Sequence, residues 1–331
     1  MIIKSIKLTN FRNHTSYFLD CKDRTTIIHG ENGCGKTSVL EAIYILTRGK
    51  SFRATDQEIL KRGKEFYRAE IELENGSKTI ATYDGKNKTF TVLDKKTRRL
   101  PKKQKYPVIL FIPSDLNLIS HSPGSRRKYF DQIFSQFNES YNDALLKYDK
   151  ALKQRNELLK KENLSPSYLF SWNVLLAKYG SILSSLRAEY IKEINSNFTK
   201  KYQSIMGNKD KTDIIYNTEV LKNSEAKYLT ILEQNYQKDI FVGHTTFGIH
   251  RDDYLFRLNQ KLANGSASRG ETRSIILALK FIEADLIYQK TNTKPLVLLD
   301  DVFSELDEQR RKHLVNNFKE NQIIITSVEN I

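Results

Sequence analysis

Gly30-Glu31-Asn32-Gly33-Cys34-Gly35-Lys36-Thr37 is the stretch on which the reading of this chain turns. It matches G-x-x-x-x-G-K-[ST], the Walker A pattern. Upstream, Thr26-Ile27-Ile28-His29 is a short β-branched run that reads as a strand. Downstream, residues 38–46 place apolar side chains at helical spacing. Strand, glycine loop, helix is the context this motif requires. Glycine lets the backbone curl so that successive N–H groups face a phosphate, and the helix start adds its positive end. The whole octet, from Gly30, Glu31, Asn32, Gly33, Cys34 and Gly35 to Lys36 and Thr37, is therefore the expected nucleotide cradle. Lys36 is expected to reach the β- and γ-phosphates and the Thr37 hydroxyl to ligate magnesium.

Toward the N-terminus, residues 1–28 read as strand, turn, strand, one continuing sheet that carries Ile2, Ile6, Leu8, Phe18, Ile27 and Ile28. The turn Asn10-Phe11-Arg12-Asn13-His14 precedes the glycine loop, and Arg12 there reads either as a surface residue or as a group that stacks on a base or pairs with phosphate. Toward the C-terminus, Asn75-Gly76 separates two alternating runs, and Asp84-Gly85 leads to a third, which predicts an antiparallel meander. Residues 95–105 hold seven lysines and arginines, a density suited either to a solvated loop or to a phosphate backbone. Val108-Ile109-Leu110-Phe111-Ile112 reads as a buried strand.

From Ser125 the period changes. Aromatic and aliphatic residues recur at helical spacing from Tyr129 to Leu152, and again from Tyr168 to Tyr202, with a polar break at residues 160–166. Two long antiparallel helices are expected, with the aromatic stripe as their core. Residues 207–212 and 222–228 read as polar connectors, and residues 225–240 as one further helix.

The distal part carries more phosphate chemistry. Ser268-Arg269-Gly270-Glu271 opens a helix and resembles the signature motif of ABC-type ATPases, in which the serine hydroxyl and glycine N–H groups bind the γ-phosphate held by the opposite subunit. Ser268 also reads as a helix N-cap, with Glu271 completing a capping box. Leu296-Val297-Leu298-Leu299-Asp300-Asp301 is a buried strand ending in two carboxylates, a Walker B pattern. Asp300 is placed to hold magnesium opposite Thr37. Asp301 stands where these ATPases put the carboxylate that polarises attacking water. Ser304-Glu305-Leu306-Asp307 resembles their D-loop, and residues 322–326 form a further core strand.

Composition narrows the partners. Lysine and arginine outnumber aspartate and glutamate 54 to 39, a formal charge of +15 over 331 residues, which reads either as a surface for a polyanion, nucleic acid or an acidic membrane face, or as lysine that serves solubility alone. No stretch approaches the apolar run of a membrane span, so no membrane role is expected. The N-terminus alternates like a strand and not like a signal peptide. Two cysteines, Cys21 and Cys34, offer no disulfide framework, and a reducing cytoplasmic setting is expected.

About 230 residues separate Lys36 from Ser268, a spacing that resembles the layout of the DNA-acting SMC and RecF branch more than that of a transporter. The chain resembles the RecF family along nearly its whole length. The residues carrying that resemblance are Leu8-Thr9-Asn10-Phe11-Arg12-Asn13, the glycine loop, Gly49-Lys50-Ser51-Phe52-Arg53, Pro123-Gly124-Ser125-Arg126-Arg127-Lys128-Tyr129-Phe130-Asp131, residues 154–160, His250-Arg251-Asp252-Asp253, Gly270-Glu271-Thr272-Arg273 and residues 299–307. Departures are Ile249, where the family usually has proline, and Arg269, where it often has glutamine. No histidine follows the last strand; Thr326 or Ser327 stands there.

The resemblance implies an α/β fold: an ABC-type P-loop ATPase head of mixed sheet and helices with an inserted α-helical arm. The expected division is 1–113 and 246–331 for the head and 114–245 for the arm. It implies a slow ATPase that dimerises on ATP with Mg2+, binds gapped or junction DNA without sequence preference, and works with RecR and RecO to load recombinase. Asp301 and Lys36 are the expected catalytic residues. Lys36, Thr37, Asp300 and Asp301 of one subunit would share each site with Ser268 and Gly270 of the other. Lys50, Arg53, Arg126, Arg127 and the 95–105 cluster are the expected DNA contacts. The alternative is an ABC-type ATPase head from a defence or other DNA-processing system.

Overall fold

The computed structural model describes residues 2–21, 23–161, 164–220 and 224–328. The chain forms two compact units. The first comprises residues 1–115 and 284–331, and the second residues 116–283.

The first unit opens with β1 (Ile3–Phe11) and β2 (His14–Asp20), then β3 (Thr25–His29) and the helix α1 (Lys36–Arg48). A short α2 (Asp56–Ile59) precedes β4 (Tyr67–Leu73), β5 (Lys78–Tyr83), β6 (Lys88–Val92), β7 (Lys95–Thr97) and β8 (Val108–Phe111). The meander forms as expected, and a six-stranded antiparallel sheet runs β2-β1-β4-β5-β6-β7. Gly76 takes the positive φ that its hairpin turn demands. Ile3, Ile6 and Leu8 form the buried face of β1, while Phe18 on the edge strand β2 stays exposed.

The second unit begins with α3 (Pro123–Phe137), α4 (Glu139–Leu158) and the 40-residue α5 (Ser167–Met206). The first aromatic pattern is thus two helices, not one. Asn138 adopts φ −124° and its side chain accepts from the Tyr141 N–H, ending one helix and capping the next. An asparagine side chain competes locally with helical hydrogen bonds, and this cap wins over the continuing apolar period. The predicted break at 160–166 is real at its flanks; its residues 162 and 163 lie outside the described residues, as do 222 and 223 of the second connector. After α5 come β9 (Thr212–Asn217), α6 (Glu225–Gln234), α7 (Tyr236–Val242), β10 (Asp253–Leu258), β11 (Lys261–Leu262), the short α8 (Ala263–Ser266) and α9 (Arg269–Thr291), the last crossing into the first unit's sequence. The single helix expected over 225–240 is divided at Asn235.

This unit is not purely helical. β11-β10-β9 form a three-stranded antiparallel sheet, and β9 falls next to a stretch read as connector. Its edge is satisfied from α5: the Asn195 amide bonds both the N–H and the carbonyl of Ile214, and Thr199 does the same for Thr212. Most of the aromatic stripe is core, with Tyr141, Tyr148, Tyr190, Phe198 and Tyr202 buried, but Tyr168 at the start of α5 is exposed. β10 pairs with β9, and residues 246–283 fall within this compact unit.

The chain returns to the first unit with β12 (Leu296–Asp300), α10 (Glu308–Phe318) and β13 (Ile323–Ser327). These complete a parallel sheet in the order β3-β13-β12-β8. The sheet expected over residues 1–28 is therefore two: β1 and β2 join the antiparallel sheet, β3 the parallel one. α1 packs against β1, β4 and β5 of the first and β8, β12 and β13 of the second. A helix between two sheets has no solvent face, which is why every residue from Val39 to Thr47 is buried. The parallel strands β12 and β13, covered on both faces, read as continuous apolar runs for the same reason.

Candidate functional site

The glycine loop joins β3 to α1. Gly33 and Gly35 have φ of 85° and 105°, left-handed values that glycine adopts without strain. Gly35 is also crowded: a Cβ there would lie 2.4 Å from both Asn13 Oδ1 and His14 Nε2. Those two side chains hold the loop from the β1–β2 turn. Asn13 donates to the Gly33 carbonyl at 3.0 Å, and His14 Nε2 lies 3.1 Å from the Gly35 carbonyl. A carbonyl only accepts, so His14 carries its proton on Nε2. Lys36, almost fully buried, donates to the carbonyls of Gly30 at 2.8 Å and Glu31 at 3.1 Å.

The Walker B strand ends beside this loop. Parallel pairing of β3 with β13 and of β13 with β12 sets Asp300 opposite α1. Thr37 Oγ1 donates to Asp300 Oδ1 at 2.8 Å, and the Lys36 ammonium lies 4.0 Å from Asp301 Oδ2. Thr326 Oγ1 accepts from the Asp301 N–H and donates to Asp300 Oδ1, both at 2.9 Å. Burial pushes the Asp300 carboxyl up, and the two hydroxyl donors pull it back only in part. Asp301 sits in the left-handed region, φ 49°, and its Oδ1 is buried with no hydrogen-bond partner. Ser304 of the expected D-loop donates to the Asp301 carbonyl, and Asp307 caps α10.

An open cleft of about 480 Å³ lies over these groups, lined among others by Asn32, Lys36, Thr37, Arg12, Arg53 and Asp301. One wall is a charge cluster on α1. Glu41 is fully buried and receives bonds from Arg12 Nε and Nη2, Arg53 Nε and Nη2, and the Ser51 hydroxyl. Burial alone pushes Glu41 up; the bonds from Arg12, Ser51 and Arg53 outweigh it and hold the carboxyl below its usual range. Arg12 also donates through Nη1 to the Glu58 carbonyl, so three of its five N–H groups are engaged.

The expected signature residues, Ser268 and Gly270, are in the second unit. Ser268 forms the capping box with Glu271: its N–H donates to Glu271 Oε2 at 2.7 Å and its hydroxyl accepts from the Glu271 N–H at 3.3 Å. An accepting hydroxyl still has its own proton to donate.

Among the expected DNA contacts, Lys50 and Arg53 are exposed, and Arg53 is tied to Glu41. Near Lys105 the segments meet: Tyr106 N–H bonds the Thr47 carbonyl, and burial with the charges of Arg48, Lys50, Lys102 and Arg99 holds the Lys105 ammonium below its usual range. Arg126 is a correction. It is 7% exposed, clamps Asp253 through two bonds and donates to the carbonyls of Ile119 and His121. A buried arginine so engaged is an internal strut, not a surface contact. Arg127 is half-buried, donating to the Asp252 carbonyl at 2.6 Å.

Sequence reasoning did not single out Asn13, His14 or Glu41 as parts of the site. Glu41 carried a readable signal, a carboxylate in an otherwise apolar helical run, which must find a cation if buried. Asn13 and His14 carried none beyond their place in the turn. Among the described residues no helix is long and apolar enough to cross a membrane, and no group of three or more His, Cys, Asp or Glu side chains could hold a metal.

Comparison with known proteins gives concordant results. Residues 2–106 match the RecF/RecN/SMC N-terminal domain model. The chain is 34% identical to DNA replication and repair protein RecF of Ruminiclostridium cellulolyticum, over 98% of this chain and 92% of that one. It is 35% identical to RecF of Leptospira interrogans, over 96% and 88%. A solved structure of the recombination mediator protein RecF with ATP, from the RecFOR pathway, superposes with a TM-score of 0.89 at 29% identity, covering 99% of this chain and 92% of that one.

Proposed function

From the premise that this chain belongs to the RecF family of DNA replication and repair proteins, we propose that it is an ATP-driven DNA clamp whose closed form is a dimer. The observation that carries this reading is the convergence of Lys36, Thr37 and Asp301 at one cleft, with Asp300 in contact with Thr37 and Lys36 beside Asp301. By role, residues 1–113 and 246–331 together form the ATPase head and 114–245 the inserted arm, whatever their packing.

The glycine loop binds the triphosphate through its N–H groups, and Lys36 exchanges its bonds to the Gly30 and Glu31 carbonyls for phosphate oxygens. Thr37 and Asp300 fit Mg2+. They offer hard oxygen donors, and this ion keeps several waters and takes only one or two carboxylates besides phosphate. Held there, the ion would neutralise negative charge on the phosphates. Asp301 orients water. Aspartate is one methylene shorter than the glutamate usual there, so hydrolysis is slow and acts as a timer. The two remaining N–H groups of Arg12 serve the nucleotide.

Ser268 and Gly270 of a second copy complete the γ-phosphate site. The capping box fixes the Ser268 oxygen while leaving its proton to donate. ATP then favours the closed dimer because it touches both halves only there. DNA binds through phosphate contacts to Lys50, Arg53, Arg127 and the 95–105 cluster, hence without sequence preference and with strong salt dependence. The cellular role is recognition of gapped or junction DNA in the cytoplasm, with RecR and RecO as partners in loading recombinase.

Sedimentation with and without a non-hydrolysable ATP analogue, Mg2+ and a gapped duplex tests the clamp. The expected result is a dimer that needs triphosphate. A protein that remains monomeric at saturation with all three overturns the reading.

A further inference from the structure

The Thr326 hydroxyl occupies an unusual place. It is fully buried at the end of β13, the strand lying between the Walker A and Walker B strands. One oxygen there makes two bonds of opposite sense, accepting from the Asp301 N–H and donating to Asp300 Oδ1. The Asp300 carboxylate and the Asp301 backbone are thus tied to each other through β13.

Each tie has a physical consequence. Asp301 is a non-glycine residue at φ 49° and ψ 24°, a conformation that persists only when its surroundings hold it. The bond from its N–H to Thr326 is one such hold, and Ser304, donating to its carbonyl, is another. In that conformation the carboxylate turns back toward Lys36, with Oδ1 buried and without a partner. Asp300 is a buried carboxylate with two hydroxyl donors on the same oxygen, Thr37 and Thr326. A Thr37 that ligates an ion and phosphate is no longer dedicated to Asp300.

We propose that Thr326 is the positioning residue of the Walker B pair: its hydroxyl holds Asp300 oriented for the metal and Asp301 oriented for water throughout the nucleotide cycle. This rests on the ATPase reading above. Thr326 touches neither substrate nor metal and acts through the two aspartates. A hydroxyl is required, because the same atom must accept from one residue and donate to the next. Valine matches threonine in shape and can do neither. Serine can do both.

The test uses the full chain and two substitutions, Thr326→Val and Thr326→Ser. The first readout is a magnesium titration of the binding of a fluorescent non-hydrolysable ATP analogue. The second is steady-state hydrolysis resolved into kcat and KM. Loss of a group that orients metal ligands costs about 10- to 100-fold, so Thr326→Val is expected to raise the magnesium requirement and lower kcat by about that factor, with KM at saturating magnesium near the parent value. Thr326→Ser is expected to restore both. A folded valine variant that matches the parent in both readouts overturns the proposal, as does a serine variant as impaired as valine. If the valine variant does not fold, Thr326→Ala replaces it under the same criteria. A parent protein that binds no analogue at any magnesium concentration overturns the nucleotide reading instead, which keeps the two failures apart.

Discussion

Thr37 donates its hydroxyl proton to Asp300 Oδ1 at 2.8 Å across 263 residues of sequence. The contact joins the first helical turn after the glycine loop to the end of the Walker B strand, and makes one site of two motifs. Thr37→Val removes the expected metal ligand and the donor together. Magnesium-dependent binding of an ATP analogue, followed by calorimetry, should weaken by about 10- to 100-fold, while magnesium-free binding changes little. Equal loss in both conditions would place Thr37 on the phosphates alone.

Asp301→Asn keeps the shape of the residue and removes its charge. ATP binding should persist, hydrolysis should fall, and the nucleotide-bound dimer should outlive that of the parent. A variant that turns over ATP at the parental rate would show that Asp301 does not orient the water.

Glu41 supplies a test by pH. Its carboxyl titrates lower in the folded protein than in the unfolded chain, so it stabilises the fold fully above its ordinary value of about 4.5. That stabilisation is lost as pH falls through the lower, folded value. Glu41→Gln should therefore destabilise by about 3 kcal/mol near neutrality, since it leaves Arg12 and Arg53 facing a neutral group in a buried site. The deficit should shrink on acidification. Urea melts of both proteins at several pH values would reveal it, and a deficit constant from neutral to acid pH would exclude ionised Glu41 as the cause.

Ser268 separates two roles by two substitutions. Ser268→Ala breaks the capping box and should cost about 1 kcal/mol of stability, read as a lower melting temperature. Ser268→Arg should block nucleotide-driven dimerisation and leave analogue binding to the monomer intact. Dimers of the arginine variant in sedimentation would remove Ser268 from the subunit contact.

Gly35→Ala tests the crowding beneath the loop. The φ of 105° and the 2.4 Å approach to Asn13 and His14 leave no room for a methyl group. Nucleotide binding should be abolished, with the rest of the first unit still folded by circular dichroism. Wild-type binding would mean that the β1–β2 turn does not brace the loop.

Much of this was legible in advance because it is local. A glycine loop between a β-branched run and an apolar helix, or Asn75-Gly76 between alternating runs, takes its form from steric and hydrogen-bonding rules spanning a few residues. The two aspartates after a continuous apolar run were readable for the same reason. Boundaries within the helical region were less so: the apolar period runs unbroken past Asn138, where a side-chain cap divides α3 from α4. β9 was missed because its pairing partner β10 lies 36 or more residues away.

The sequence by itself determined which residues can carry phosphate chemistry and the order in which they occur, since those properties reside in side-chain type and short spacing. Only the tertiary structure decided which of them meet. Arg126 and Arg127 are adjacent and identical in kind, yet one is buried against Asp253 and the other lies at the surface margin. Thr326 became a bridge between Asp300 and Asp301 because the parallel sheet sets its strand between two others. Hydrogen bonds and ion pairs depend on distances of a few ångströms, and separation along the chain does not set those distances until packing does.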